Sequence, residues 1–117
     1  MSSRVLVIED NIDQAQTLSA LLTLWGHEVK TAQEGMAGIA IAEEFQPHIA
    51  LVDLGLPSIS GYQVARLFRS NPRIQHIRLI AQTGWGQARD RVLTLEAGFD
   101  DHLVKPLDPE ELERVLR

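Results

Sequence analysis

With 117 residues, 44% of them hydrophobic and 23% charged, the chain has the make-up of one globular domain spanning 1–117, large enough for a single sizeable core. Eleven basic against sixteen acidic residues leave a net charge of −5, which argues against a nucleic-acid surface in this segment. The lack of cysteine excludes a disulfide framework, a thiolate metal site and a Cys nucleophile; no apolar run approaches the ~20 residues that span a bilayer, and Met-Ser-Ser-Arg lacks a signal peptide's apolar stretch, so a soluble, cytoplasmic chain is expected.

Arg4-Val-Leu-Val-Ile8 reads as a buried strand that ends in acid, at Glu9-Asp10. Residues 12 to 25 form a helix, with Ala15, Leu18, Leu22 and Trp25 at helical spacing and Gly26 as the stop. His27 to Thr31 alternates and suits an edge strand. Residues 34 to 45 make a weaker helix, with Ala37, Ile41 and Phe45 on one face and Gly38 costing stability, before Gln46-Pro47 ends it. Ile49 to Val52 is a continuous apolar run that leads into Asp53, and Gly55 and Pro57 break the pattern at once. A helix from Gly61 to Arg69 follows, presenting Val64, Ala65 and Phe68 and ending at Asn71-Pro72. Ile77 to Ala81 is the fourth strand, running into Gln82-Thr83-Gly84-Trp85-Gly86. Ala88, Val92 and Leu95 mark a fourth helix, closed by Gly98, and Asp100 to Val104 is a less hydrophobic strand ending at Lys105-Pro106. The last helix starts with Asp108 as cap, Pro109 at the first position and Glu111 completing an Asp-x-x-Glu box, with Leu112, Val115 and Leu116 on its apolar face.

Strands and helices that alternate through short connections imply right-handed crossovers and an α/β, doubly wound, five-stranded parallel sheet with helices on both faces. The flavodoxin-like order 2-1-3-4-5 fits, because the first and third runs are the most hydrophobic and the second the least. That topology carries residues distant in sequence to one edge: Glu9 and Asp10, Asp53, Thr83, and Lys105. A lone Asp at a strand end is a nucleophile, a metal ligand or simply a turn residue. Likewise Glu9-Asp10 can cap a helix, Thr83 can sit in a turn and Lys105 can be a solvated charge. Their joint placement is harder to assign to chance. Carboxylates ~4 Å apart repel by roughly 4 kcal/mol per pair in a protein-like medium. The cluster therefore asks for a cation beyond Lys105, most plausibly Mg²⁺ on hard oxygen ligands. With the metal present, Asp53 is placed to receive a phosphoryl group, with Lys105 and the Thr83 hydroxyl on the transferring oxygens.

This pattern resembles the receiver domain of two-component response regulators over essentially the whole chain. The resemblance rests on Glu9-Asp10, on Asp53 followed by Pro57 and Gly61, on Thr83, and on Lys105-Pro106. Residues 82–87 and 97–102 look most like receivers fused to hybrid histidine kinases. The resemblance implies that Asp53 accepts phosphate from the phosphohistidine of a histidine kinase or a histidine phosphotransfer protein. It implies that Asp10 and Asp53 ligate Mg²⁺ directly with the Gly55 backbone carbonyl, and that Glu9 acts mainly through water. It also implies a cis Lys105–Pro106 bond. Such a domain is no conventional enzyme: it catalyses its own Mg²⁺-dependent phosphorylation and dephosphorylation, and switches to control a partner or attached output domain on the face of the fourth helix, fifth strand and fifth helix.

Two residues depart from the family's habit. His102 stands where an aromatic usually lies three residues before the lysine, leaving room beside Thr83, and Gly84 follows the threonine where Ala is frequent. Trp85, between two glycines, is expected to move with Thr83 or anchor a partner. His27, His48 and His76 lack metal-ligand spacing and read as surface or strand-edge residues. Two rival readings stay open: an aspartyl phosphatase, which expects a second Asp where Gly55 stands, and a pseudo-receiver that serves only as an interaction module.

Overall fold

The computed structural model describes residues 2–84 and 88–117. Trp85, singled out above, lies outside them. The strands are β1 (Arg4–Ile8), β2 (Glu28–Ala32), β3 (Ile49–Asp53), β4 (Arg78–Thr83) and β5 (Asp101–Val104), and the helices are α1 (Ile12–Leu24), α2 (Gly35–Phe45), α3 (Gly61–Ser70), α4 (Ala88–Ala97) and α5 (Pro109–Val115). All strand pairs are parallel, in the order β2-β1-β3-β4-β5. The expected architecture is the one found.

Side chains along each strand point alternately to the two sheet faces, so a doubly covered strand must be apolar throughout. Val5 and Val7 of β1, Ile49 and Leu51 of β3 and Ile80 of β4 join Leu18, Leu22, Leu112 and Val115 beneath α1 and α5. Leu6, Ile8, Ala50, Val52, Leu79 and Ala81 face the other way, against Ile39 and Ala42 of α2, Val64, Ala65 and Phe68 of α3, and Ala97. β2 and β5, the edge strands, are the less buried ones.

Two helices depart from their expected faces. α2 buries Gly35, Gly38, Ile39 and Ala42, while Ala37 and Ile41 pack only partly buried against that core and Phe45 lies under the Lys30 ammonium. The reason is Gly38: a Cβ there would collide with the buried Ile8 side chain. The glycine that weakens the isolated helix is what lets it settle on β1. In α4, Val92 and Leu95 are 55% and 66% exposed, and it is Thr94 and Ala97 that turn inward.

Caps and clamps fix the connections. Asn11 caps α1 by accepting the Gln14 N–H (3.0 Å), which leaves Asp10 out of that role. Ser60 and Gln63 form a reciprocal capping box on α3. Asp108 caps α5 as expected, through the Glu110 N–H, but Glu111 pairs with Arg114 instead of reaching back to the cap. The Arg69 guanidinium donates to the Gly98, Gln75 and Ile77 carbonyls and to Asp100, and Asp100 also accepts the Leu79 N–H. That one side chain ties the end of α3 to the residues that lead into β4 and into β5.

His27 and His48 have structural work. Their Nδ1 atoms accept the Ser3 and Arg4 N–H groups, at 3.1 and 3.0 Å, fixing the entry into β1.

Candidate functional site

The carboxyl ends of β1, β3, β4 and β5 lie side by side, because register aligns Ile8 with Val52, Asp53 with Gln82 and Thr83 with Val104. Glu9 and Asp10 follow β1, Asp53 closes β3, Thr83 closes β4 and Lys105 follows β5. The Lys105 N–H donates to the Thr83 carbonyl (2.7 Å), so the main chain itself sets the lysine beside the threonine. The Lys105–Pro106 bond is cis. Glu9, Asp10 and Asp53 each offer a carboxylate oxygen, all within 4.8 Å of one another.

Asp53 is held from both sides. One oxygen, Oδ1, accepts the Gly55 N–H at 3.0 Å; the other, Oδ2, lies 3.4 Å from the Lys105 ammonium. Beneath it the chain runs so close to α3 that a Cβ on Gly61 would meet the Asp53 carbonyl oxygen at 2.5 Å and the Leu54 Cα at 2.7 Å. Only glycine fits there, which gives the Asp53–Gly61 spacing a steric reason.

Lys105 makes its shortest contact with Glu9, Nζ to Oε1 at 2.6 Å, and a third with Gln14 Oε1 at 3.0 Å. Glu9 is buried, and its second oxygen accepts the Asn11 N–H at 3.1 Å. Burial pushes the Glu9 carboxyl above its usual range, Asp53 adds to the push, and Lys105 opposes it. Burial also works against the Lys105 charge, but Glu9 and Asp53 outweigh it and hold the ammonium above its ordinary range. Lys105 is thus firmly cationic, while three acids share a space with one cation among the described residues.

Thr83 is buried at the end of β4, with its neighbour Gln82 in register beside Asp53. His102 lies two pairs back from Thr83 and Val104, beside Ala81, and its Nε2 accepts from Arg91 Nε of α4 at 3.1 Å. That hydrogen bond joins α4 to β5. Two contributors to the site were not singled out from sequence. Gln14 and Asn11 sit in or just before the first turn of α1, and their closeness to Glu9-Asp10 in the chain was the available signal.

Residues 5–117 match the family model of the response regulator receiver domain. The chain is 34% identical to the DNA-binding dual master transcriptional regulator RpaA of Synechocystis over 93% of its own length, but spans only 45% of that relative. It is 31% identical to the protein PilH of Pseudomonas aeruginosa, covering 97% of this chain and 94% of PilH. Its structure superimposes on the receiver domain of the sensor histidine kinase PA1611 of the same organism with a TM-score of 0.89 at 30% identity. That match covers 99% of this chain and 95% of the neighbour, which carries a magnesium ion in its active-site cleft.

Proposed function

Since the chain belongs to the response regulator receiver domain family, we propose that it forms one receiver unit over residues 1–117 and that Asp53 is its phosphoacceptor. The observation that carries this reading is the fixing of both Asp53 oxygens, one by the Gly55 N–H and one by Lys105, at the centre of a three-carboxylate cluster. A carboxylate held in one orientation attacks without first losing rotational freedom. Its oxygen forms a bond to phosphorus as the P–N bond of a donor phosphohistidine breaks, and the imidazole leaves with the electron pair. Lys105 would meet the negative charge that collects on the transferring oxygens, and the Thr83 hydroxyl would donate a hydrogen bond to one of them. Water attacking the same phosphorus later restores the carboxylate and releases phosphate.

The donor set suits Mg²⁺: hard oxygen atoms, few protein carboxylates and open access for water. Asp10 and Asp53, with the Gly55 carbonyl, would hold it, and Glu9 would act through water, since Lys105 and Asn11 already engage its oxygens. When bound, the ion neutralises charge on the carboxylates and on the incoming group. The structure of the PA1611 receiver, with magnesium in its cleft, supports this choice. A histidine kinase or histidine phosphotransfer protein would be the donor. The setting is cytoplasmic; among the described residues, no helix is long and apolar enough to cross a membrane.

The output surface is assigned to α4, β5 and α5. Val92, Leu95 and Val104 are exposed there, beside a cavity of about 600 Å³ lined in part by Arg91, His102 and Arg114. Exposed apolar groups beside polar ones mark a partner or attached-domain site.

Incubation with Mg²⁺ and acetyl phosphate tests the chemistry. Intact mass should show one added phosphoryl group, stable to acid and labile to base, and Asp53→Asn should remove it. Undiminished labelling of the variant would take the role from Asp53.

A further inference from the structure

The Lys105 ammonium carries three hydrogens and no acceptor, so the oxygens around it decide where it stands. Three come to it from three segments: Glu9 Oε1 after β1 at 2.6 Å, Gln14 Oε1 of α1 at 3.0 Å, and Asp53 Oδ2 at the end of β3 at 3.4 Å. Asp53 is the most distant of the three. Glu9 is a fixed partner, buried and with its second oxygen on the Asn11 N–H. Gln14 is fixed at its main chain, since its own N–H is donated to the Asn11 cap at 3.0 Å. Its side chain is exposed, yet from that locked first turn it reaches the lysine.

We propose that Gln14 is a positioning residue for Lys105 in the transfer of phosphate to Asp53, an inference that rests on the reading of Asp53 as phosphoacceptor. With Glu9 it holds the ammonium towards the β1–α1 connection, so that Lys105 neither closes on Asp53 nor swings out to water. At its present distance the lysine orients the Asp53 carboxylate by charge. Closed to the ~2.8 Å of a charged hydrogen bond, it would occupy the lone pair that must attack phosphorus. A lysine released to water would have to be ordered again before each transfer. Both consequences of losing Gln14 therefore slow the reaction. The residue type matters as well. Three acids already share this space, and an amide oxygen accepts from the ammonium without adding a fourth negative charge. When a phosphoryl group arrives, the ammonium hydrogen nearest Asp53 turns to it, while Glu9 and Gln14 keep the other two.

Gln14→Met tests this, because it keeps side-chain length and helix propensity and removes the oxygen. Phosphorylation by acetyl phosphate at saturating Mg²⁺, followed by intact mass, should slow about two- to tenfold, the worth of one hydrogen bond. Gln16→Met, exposed on the same helix, should keep the parental rate. In a Lys105→Ala background the Gln14→Met factor should fall to about one, since a residue that acts through Lys105 has nothing left to position. A second arm needs neither metal nor phosphodonor: the Asp53 carboxyl ¹³C resonance should move in Gln14→Met and stay in Gln16→Met. A parental or faster rate in Gln14→Met, an equal factor with and without Lys105, or an unmoved Asp53 resonance would overturn the proposal. Undiminished labelling of Asp53→Asn would instead mark a failure of the phosphoacceptor reading, which the metal-free arm does not depend on.

Discussion

Helices α3 and α4 have ten residues each and pack side by side on the same face of the sheet, yet they are anchored differently. α3 starts from a two-way capping box, passes Gly61 against the Asp53 backbone, and buries Val64, Ala65 and Phe68 completely. α4 turns Val92 and Leu95 to solvent and sets the small Ala97 and a threonine against the core. Thr94 spends its hydroxyl on the Arg91 carbonyl of its own helix, at 2.9 Å. Burying a Phe or Val side chain stabilises by ~1.5–3 kcal/mol, whereas an alanine methyl contributes far less. Equal length and similar apolar content therefore do not give equal hold. Of the two helices, α4 is the less firmly held by its described side chains, and it packs on β5, which carries His102.

The sharpest break of this comparison is a pair of truncations. Phe68→Ala should destabilise by about 3–5 kcal/mol, through lost burial and the cavity left behind. Leu95→Ala, on the exposed side of α4, should stay within about 0.5 kcal/mol of the parent. Urea unfolding of the two variants gives the difference directly, and similar losses in both would mean that α4 is anchored as firmly as α3.

A smaller effect concerns how β5 and α5 are held together by charge. Burial pushes the Asp101 carboxyl up, but the Arg114 hydrogen bond and the His102 N–H outweigh it, so its pKa lies below the ordinary carboxylate value. A carboxylate with a depressed folded-state pKa contributes stability above its unfolded pKa, and that contribution fades as pH falls towards the folded value. Asp101→Asn should therefore be less stable than the parent at about pH 6, and the gap should narrow progressively as pH falls below about 4. A gap that widens in acid would reverse the sign of the argument.

Much of this was legible in the chain. Apolar runs ending in charge located the strands, and because parallel sheets align their carboxyl ends, the runs also gathered Glu9, Asp10, Asp53, Thr83 and Lys105. The faces of α2 and α4 were not legible from spacing. Gly38 was counted as a cost when it is the contact surface, and Val92 and Leu95 have helical spacing whether they face core or solvent. Nor was the preference of Lys105 for Glu9 over Asp53 readable, since it depends on how far a flexible side chain reaches between two acids of equal charge. The fourth strand was read as ending at Ala81, whereas β4 runs on through Gln82 and Thr83 and buries both.

The central claim is that a phosphoryl group at Asp53 acts on α4 and leaves α3 where it is. Hydrogen exchange with and without Mg²⁺ and beryllium fluoride tests it most directly. Amides of residues 88–97 should exchange at least about tenfold faster than those of 61–70 in the free protein, as weaker anchoring requires. Adding the phosphoryl mimic should change exchange in 88–97 and in the β4–β5 edge while leaving 61–70 unaltered, and the change should be lost in Asp53→Asn and Thr83→Ala. Equal exchange in the two helices, or a response that survives in Asp53→Asn, would contradict the account.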